Sequence, residues 1–159
     1  MSYDWIIIDG NNLLHSDPAL TDLVARRAFD QARTKLVQRL NPLVGELAGR
    51  MTVVFDGRDG TAGTGFGGAA VEVQFSPSNL SADAIIERMV RTADCPGRTA
   101  VVSSDRMERD NVEAAGVHTI SCQNFLSIAT ESQRHLTAGL RSASKTLPRT
   151  TLGEYFPKP

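Results

Sequence analysis

Ile6-Ile7-Ile8-Asp9-Gly10-Asn11-Asn12 is the stretch that decides the reading of this chain. Three β-branched residues in a row make a short strand buried on both faces, the kind found inside a parallel sheet. The strand ends in an acid, a glycine and two amides. Two similar endings follow, in Val53-Val54-Phe55-Asp56 and in Ala100-Val101-Val102-Ser103-Ser104-Asp105. An acid at the end of a buried strand lies at the sheet edge where open parallel sheets bind ligands. Several such acids at one edge repel one another unless a cation neutralises them. The pattern points to metal-dependent chemistry on phosphate.

Taken singly, each acid also has a structural reading. Asp9-Gly10 and Asp56-Gly57 are turn signals, and Asn11 or Asn12 is a helix cap. Asp105 followed by Glu108 has the spacing of a capping arrangement. Asp83 falls in the first turn of a helix capped by Ser81, where the helix dipole favours an acid. Glu87 lies four residues on, on the same helix face, as a supporting acid or an ion-pair partner for Arg88 or Arg91.

The elements between these endings alternate strand and helix. Strands are expected over 4–9, 51–56, 69–75, 99–103 and 117–121. Helices are expected over 20–40, 81–93, 106–115 and 122–136. This order implies an α/β fold, a three-layer sandwich with a mainly parallel sheet of Rossmann-like type. Residues 1–138 form the domain. Residues 139–159 lose periodicity and read as a polar tail.

Gly63, Gly65 and Gly68 match G-x-G-x-x-G, but strand-like residues follow them instead of a helix, so a dinucleotide loop is not implied. Six glycines between Gly57 and Gly68 suggest a flap instead, with Arg58 and Phe66 available to touch a phosphate or a base. In the tail, Leu152, Tyr155 and Phe156 form an i, i+3, i+4 apolar cluster that either packs on its own domain or docks a partner. It is similar to sliding-clamp-binding motifs, with Arg149 in place of the usual glutamine.

The 159 residues carry a formal net charge of −1, with 41% hydrophobic and 22% charged residues. Nothing global marks a nucleic-acid binder, so any basic surface is local. Arg26, Arg27, Arg33, Lys35 and Arg39 against Asp30 make one candidate, and the basic residues after 130 another. Cys95 and Cys122 have no metal-ligand spacing. His15, His118 and His135 are scattered. No leader peptide and no membrane span is apparent, which sets the expectation of a cytoplasmic protein.

At these residues the chain resembles the YacP-like branch of the NYN domains, within the PIN-like nucleases. Ile7 to Asn12 resembles that branch's opening strand and Val54 to Gly57 its second strand. Ser81 to Glu87 resembles its acidic helix start, and Val102 to Arg106 its third acidic strand end. The resemblance implies a PIN-like sandwich and an endoribonuclease using Mg2+ or Mn2+ held by Asp9, Asp83 and Asp105. Asn11 and Ser104 would complete the catalytic set, with Asp56, Glu87, Asn12 and Arg106 as secondary candidates. RNA is the expected partner, as mRNA, tRNA or a ribosome-associated strand. Two alternatives are a PIN-like module that binds RNA or the ribosome without cutting, and a DNA-directed nuclease recruited by a sliding clamp through the tail.

Overall fold

The computed structural model describes residues 3–57 and 69–146, with side chains up to residue 139. Arg58 and Phe66 in the glycine-rich loop, and Leu152, Tyr155 and Phe156 in the tail, lie outside the described residues. The order of elements is β1 (Tyr3–Asp9), α1 (Gly10–Ser16), α2 (Thr21–Ala25), α3 (Phe29–Leu40), β2 (Ala48–Phe55), β3 (Glu72–Phe75), α4 (Ala82–Arg91), β4 (Thr99–Val102), α5 (Arg106–Glu113), β5 (His118–Ile120) and α6 (Cys122–Thr146).

The five strands form one sheet in the order β3-β2-β1-β4-β5, and every pairing is parallel. This is the α/β sandwich that the strand endings imply. Alternation along β1 sorts its side chains between the two faces. Ile6 and Ile8 pack with Leu13, Leu36, Leu40 and Phe125 from the helices on one side. Trp5 and Ile7 pack with Ile85, Ile86 and Val90 of α4 and Val112 of α5 on the other. Asp9, two residues beyond Ile7, therefore faces the α4 and α5 side. The sheet order changes direction at β1: the chain goes first to β2 and β3, then crosses to β4 and β5. The crevice between the ends of β1 and β4 is the ligand-binding position of such sheets.

Three expectations are corrected. The helix expected over 20–40 is two helices, with a break at residues 26–28 where Arg27 takes a left-handed φ of 58°. The apolar spacing continues across the break because both helices face the same core, so periodicity alone hides it. A non-glycine residue in this conformation costs about 1–2 kcal/mol, which the surrounding packing must offset. Asp9-Gly10, a turn signal with Asn11 or Asn12 as the expected cap, instead opens α1 directly, with Asp9 as its cap: the Asn12 N–H donates to Asp9 Oδ1 at 3.2 Å. The last helix continues to Thr146, well past the expected 136, so residues 139–146 are helical.

The basic stretch 25–40 is largely neutralised. Arg26 pairs with Asp22 at 2.8 Å, and Arg39 with Asp17 at 2.5 Å. Arg33 is buried, paired with Asp30 and lying 5.4–5.9 Å from the ring centroids of Phe29, Phe55 and Phe75. Among the described residues, no helix is long and apolar enough to cross a membrane.

Candidate metal centre

Three helices begin at the crevice, and each contributes from its first turn. Asp9 caps α1. Ser81 caps α4, its hydroxyl accepting from the Ala84 N–H at 3.2 Å, and this sets Asp83 in the opening turn. Asp105 caps α5, its Oδ1 accepting from the N–H groups of Met107 at 2.9 Å and Glu108 at 3.4 Å. The result is a group of three carboxylates, Asp9, Asp83 and Glu108, each offering an oxygen within 4.8 Å of the others. Asp9 and Glu108 are both only 2% exposed.

Asp9 and Asp83, expected from the sequence, thus meet. The third acid of the tight group is Glu108, expected from the sequence only as a capping partner of Asp105. Asp105 does cap its helix and stands beside the group, where its charge bears on Asp83. Glu108 does not close a reciprocal capping box. Its Oε2 accepts from the Ser103 hydroxyl at 2.7 Å, and Ser103 Oγ in turn accepts from the Asp105 N–H at 3.0 Å. The available signal was position: Asn12 and Glu108 each lie three residues after a capping acid, in the turn that faces the crevice.

The other named residues are distributed around this group. Asn12 holds the second oxygen of Asp9, its Nδ2 donating to Oδ2 at 2.6 Å, and its own Oδ1 accepts from the Ser104 hydroxyl at 2.5 Å. Asn11 instead spans to β2, where its Oδ1 accepts from the Asp56 N–H at 3.3 Å. Asp56 is half-buried beside Ser76 Oγ at 3.5 Å and is not one of the three. Glu87 adds its charge near Asp83 and accepts from Asn111 Nδ2 at 3.2 Å, tying α4 to α5. Arg106 is exposed at the start of α5.

Burial raises the pKa of all three carboxyls. It pushes Glu108 up to about 9, with the charge of Asp9 as the next cause. Asp9 and Asp83 are also raised, by burial first. Cys122 lies buried next to the group, its thiol within hydrogen-bonding reach of Ser104 and Ser16 and raised by burial.

These residues fit a hard divalent cation. Every donor is oxygen, the set is small, and such ions as Mg2+ bind through few carboxylates while keeping waters. Glu108 Oε1 is buried with no hydrogen-bond donor among the described residues and shares its surroundings with the carboxyls of Asp9 and Asp83, a position that a shared proton satisfies without metal and a cation would satisfy in its place.

Comparison with solved structures finds the same architecture in Rae1 (YacP) from Bacillus subtilis. Its crystal structure superposes with a TM-score of 0.76 at 25% identity, covering 96% of this chain and 88% of that one. A tryptophan-to-leucine variant of the same protein gives 0.75 at 26% identity, covering 91% and 86%. Among curated proteins, no sequence gives a significant match. The sequence profile of the YacP-like NYN domain matches residues 6–156. With nearly the whole length matched and the fold shared, this chain belongs to the YacP-like NYN domain family.

Proposed function

We propose that this protein is a divalent-metal-dependent endoribonuclease that hydrolyses RNA phosphodiester bonds in the crevice between β1 and β4. The observation that carries the reading is the group of buried Asp9 and Glu108 with half-buried Asp83, their oxygens within 4.8 Å of one another. These three would hold Mg2+ or Mn2+, with Asp105 and Glu87 as flanking negative charge. When bound, the ion supplies positive charge to the phosphoryl oxygens and makes a water acidic enough to attack phosphorus.

The chain's own residues prepare that chemistry. Asn12 fixes the orientation of Asp9, and Ser103 that of Glu108, so the donors are set before substrate arrives. Ser104 is exposed, and its hydroxyl donates to Asn12 Oδ1, which supports the residue that orients Asp9. Membership of a PIN-like family supports a nuclease, and RNA is the substrate class that the family resemblance implies.

Labelled RNA incubated with pure protein and Mn2+ tests the reading. Cleavage is expected from the wild type, with loss in EDTA and in Asp9→Asn. Equal background cleavage by wild type and Asp9→Asn would show that the protein does not cut RNA through this site.

A further inference from the structure

An apolar groove lies on the α6 face of the sheet, opposite the helices that supply Asp83 and Glu108. It encloses about 550 Å³, within the ~300–1,000 Å³ typical of ligand sites. Buried Ile6 and Phe125 lie at its base, and Tyr3, Leu47, Ile120 and Ile128 surround them. The groove stays open because β5, which carries Ile120, is the edge of the sheet and no further strand covers it. Ile128 is 41% exposed and, with Met107, is one of two large hydrophobic residues exposed among the described residues. Met107 lies far off, in the first turn of α5.

The chain itself supplies an occupant of the right size and reach. Leu147-Pro148 follows the last residue of α6, and a residue before proline disfavours the helical region, so the sequence ends the helix there. Ile128 precedes Thr146 by 18 residues of α6, about 27 Å along the helix. An extended chain covers ~3.3–3.6 Å per residue, so Tyr155 and Phe156 can lie about 30–36 Å from Thr146, whereas Leu152 reaches only about 20 Å. The aromatic pair can therefore return to the groove, and Leu152 stops short of it. The family profile runs on to residue 156, which places both aromatics inside the pattern of the domain and not in an appended linker.

We propose that Tyr155 and Phe156 fold back along α6 and seat in this groove, so that the tail closes its own domain instead of recruiting a sliding clamp. Asn124 and Ser127 line the groove and offer partners to the tyrosine hydroxyl. A second copy of the chain fits less well. A stable dimer buries ~1,200–2,000 Å², and the exposed apolar surface on this face is confined to Ile128 and the groove. Two tethered side chains need far less area, because the tether holds them at an effective concentration on the order of millimolar. No residue of the metal centre lines the groove, so the inference stands apart from the nuclease reading.

The test is isoleucine δ1-methyl NMR of the full chain, wild type beside Phe156→Leu, which removes the ring and keeps an apolar side chain. The Ile128 and Ile120 resonances are expected to shift, because an aromatic ring is taken from the groove they line. Ile85 and Ile86 pack on the other face of the sheet and are expected to stay in place. Trypsin gives a second readout: cleavage after Arg149 is expected to be at least about tenfold faster when Tyr155→Ala and Phe156→Ala are combined, since the burial that holds the tail is lost. Thermal midpoints check that each variant folds. Unmoved Ile128 and Ile120 methyls with equal cleavage rates would overturn the proposal, whether or not the tail then binds a clamp. Shifts that vanish on dilution would overturn it too, by assigning the groove to the tail of a second copy.

Discussion

Two of the five strands end in the same dipeptide, Asp9-Gly10 on β1 and Asp56-Gly57 on β2, and the fold treats the two differently. Both glycines permit close approach. A Cβ on Gly10 would lie 2.5 Å from the Phe55 ring, and one on Gly57 would lie 1.9 Å from the Ser76 carbonyl oxygen. The acids part company. Asp9 is buried against Asp83 and Glu108, whereas Asp56 is half-buried beside the Ser76 hydroxyl and outside that group. The difference comes from place in the sheet. β1 lies between β2 and β4, at the point where α4 and α5 begin, so its terminal acid meets acids from two helix starts. β2 is one strand further out. A strand-end acid acquires a role from the elements it faces, not from its own dipeptide.

Breaking the comparison at the acids should give the largest effect. Asp9→Asn keeps a good helix cap and should lower Mn2+-dependent RNA cleavage by about 10²-fold or more. Asp56→Asn should leave it within about threefold, since no carboxylate of the group is lost. Equal losses, measured as initial rates, would erase the distinction between the two strand ends.

The next effect is on stability and its pH dependence. Glu108 is protonated up to about pH 9 in the folded metal-free protein and only up to about 4.5 when unfolded. Between those values the folded state binds more protons, so stability falls as pH rises. Asp9 and Asp83 are raised as well and act in the same direction. The metal-free melting temperature should therefore climb as pH is lowered from 9 toward 5. Mn2+ binds only the deprotonated carboxylates, so its stabilisation should grow with pH and oppose that trend. Melting curves with EDTA and with Mn2+ across this range check both signs. Glu108→Gln removes the ionisation that favours the unfolded state above about pH 4.5 while keeping an acceptor for Ser103. It should raise the metal-free midpoint near neutral pH and remove the response to Mn2+.

The two glycine turns sharpen the comparison in a smaller way. Gly10→Ala forces the Phe55 ring to move and should cost about 1–3 kcal/mol in denaturant unfolding. On the β2 side, Ser76→Ala removes the acceptor of the Gly57 N–H, a bond of 2.9 Å. It should cost about 1 kcal/mol and leave Mn2+ affinity unchanged, because that strand end holds no ion.

Much of this was legible in the residues. The continuous apolar runs announce buried parallel strands, and the acids at their ends announce the edge where the site forms. Asp9 and Asp83 could be read because one ends a strand and the other opens a helix. Glu108 was harder. Pattern places Asp105 and Glu108 in the same helical turn, but the Ser103 hydroxyl decides which carboxyl turns inward. Asn11 and Asn12 are likewise adjacent, and only the curl of α1 directs Asn12 to Asp9 and Asn11 to β2. Helix α1 was only half legible, since either asparagine could serve as its cap, and the acid that does cap it is counted with the strand. Arg33 looks like part of a basic face, yet it is buried against Phe29 one turn away and two rings distant in sequence, Phe55 and Phe75.

The most direct test of the metal centre is a crystal soaked in Mn2+, with the ion located by its anomalous scattering. The account predicts a peak bonded to carboxylate oxygens of Asp9, Asp83 and Glu108 at about 2.0–2.2 Å, with the former orphan oxygen of Glu108 among the ligands. A peak held by Asp105 or Asp56 with Glu108 still turned to Ser103, or no peak in the crevice, would contradict it.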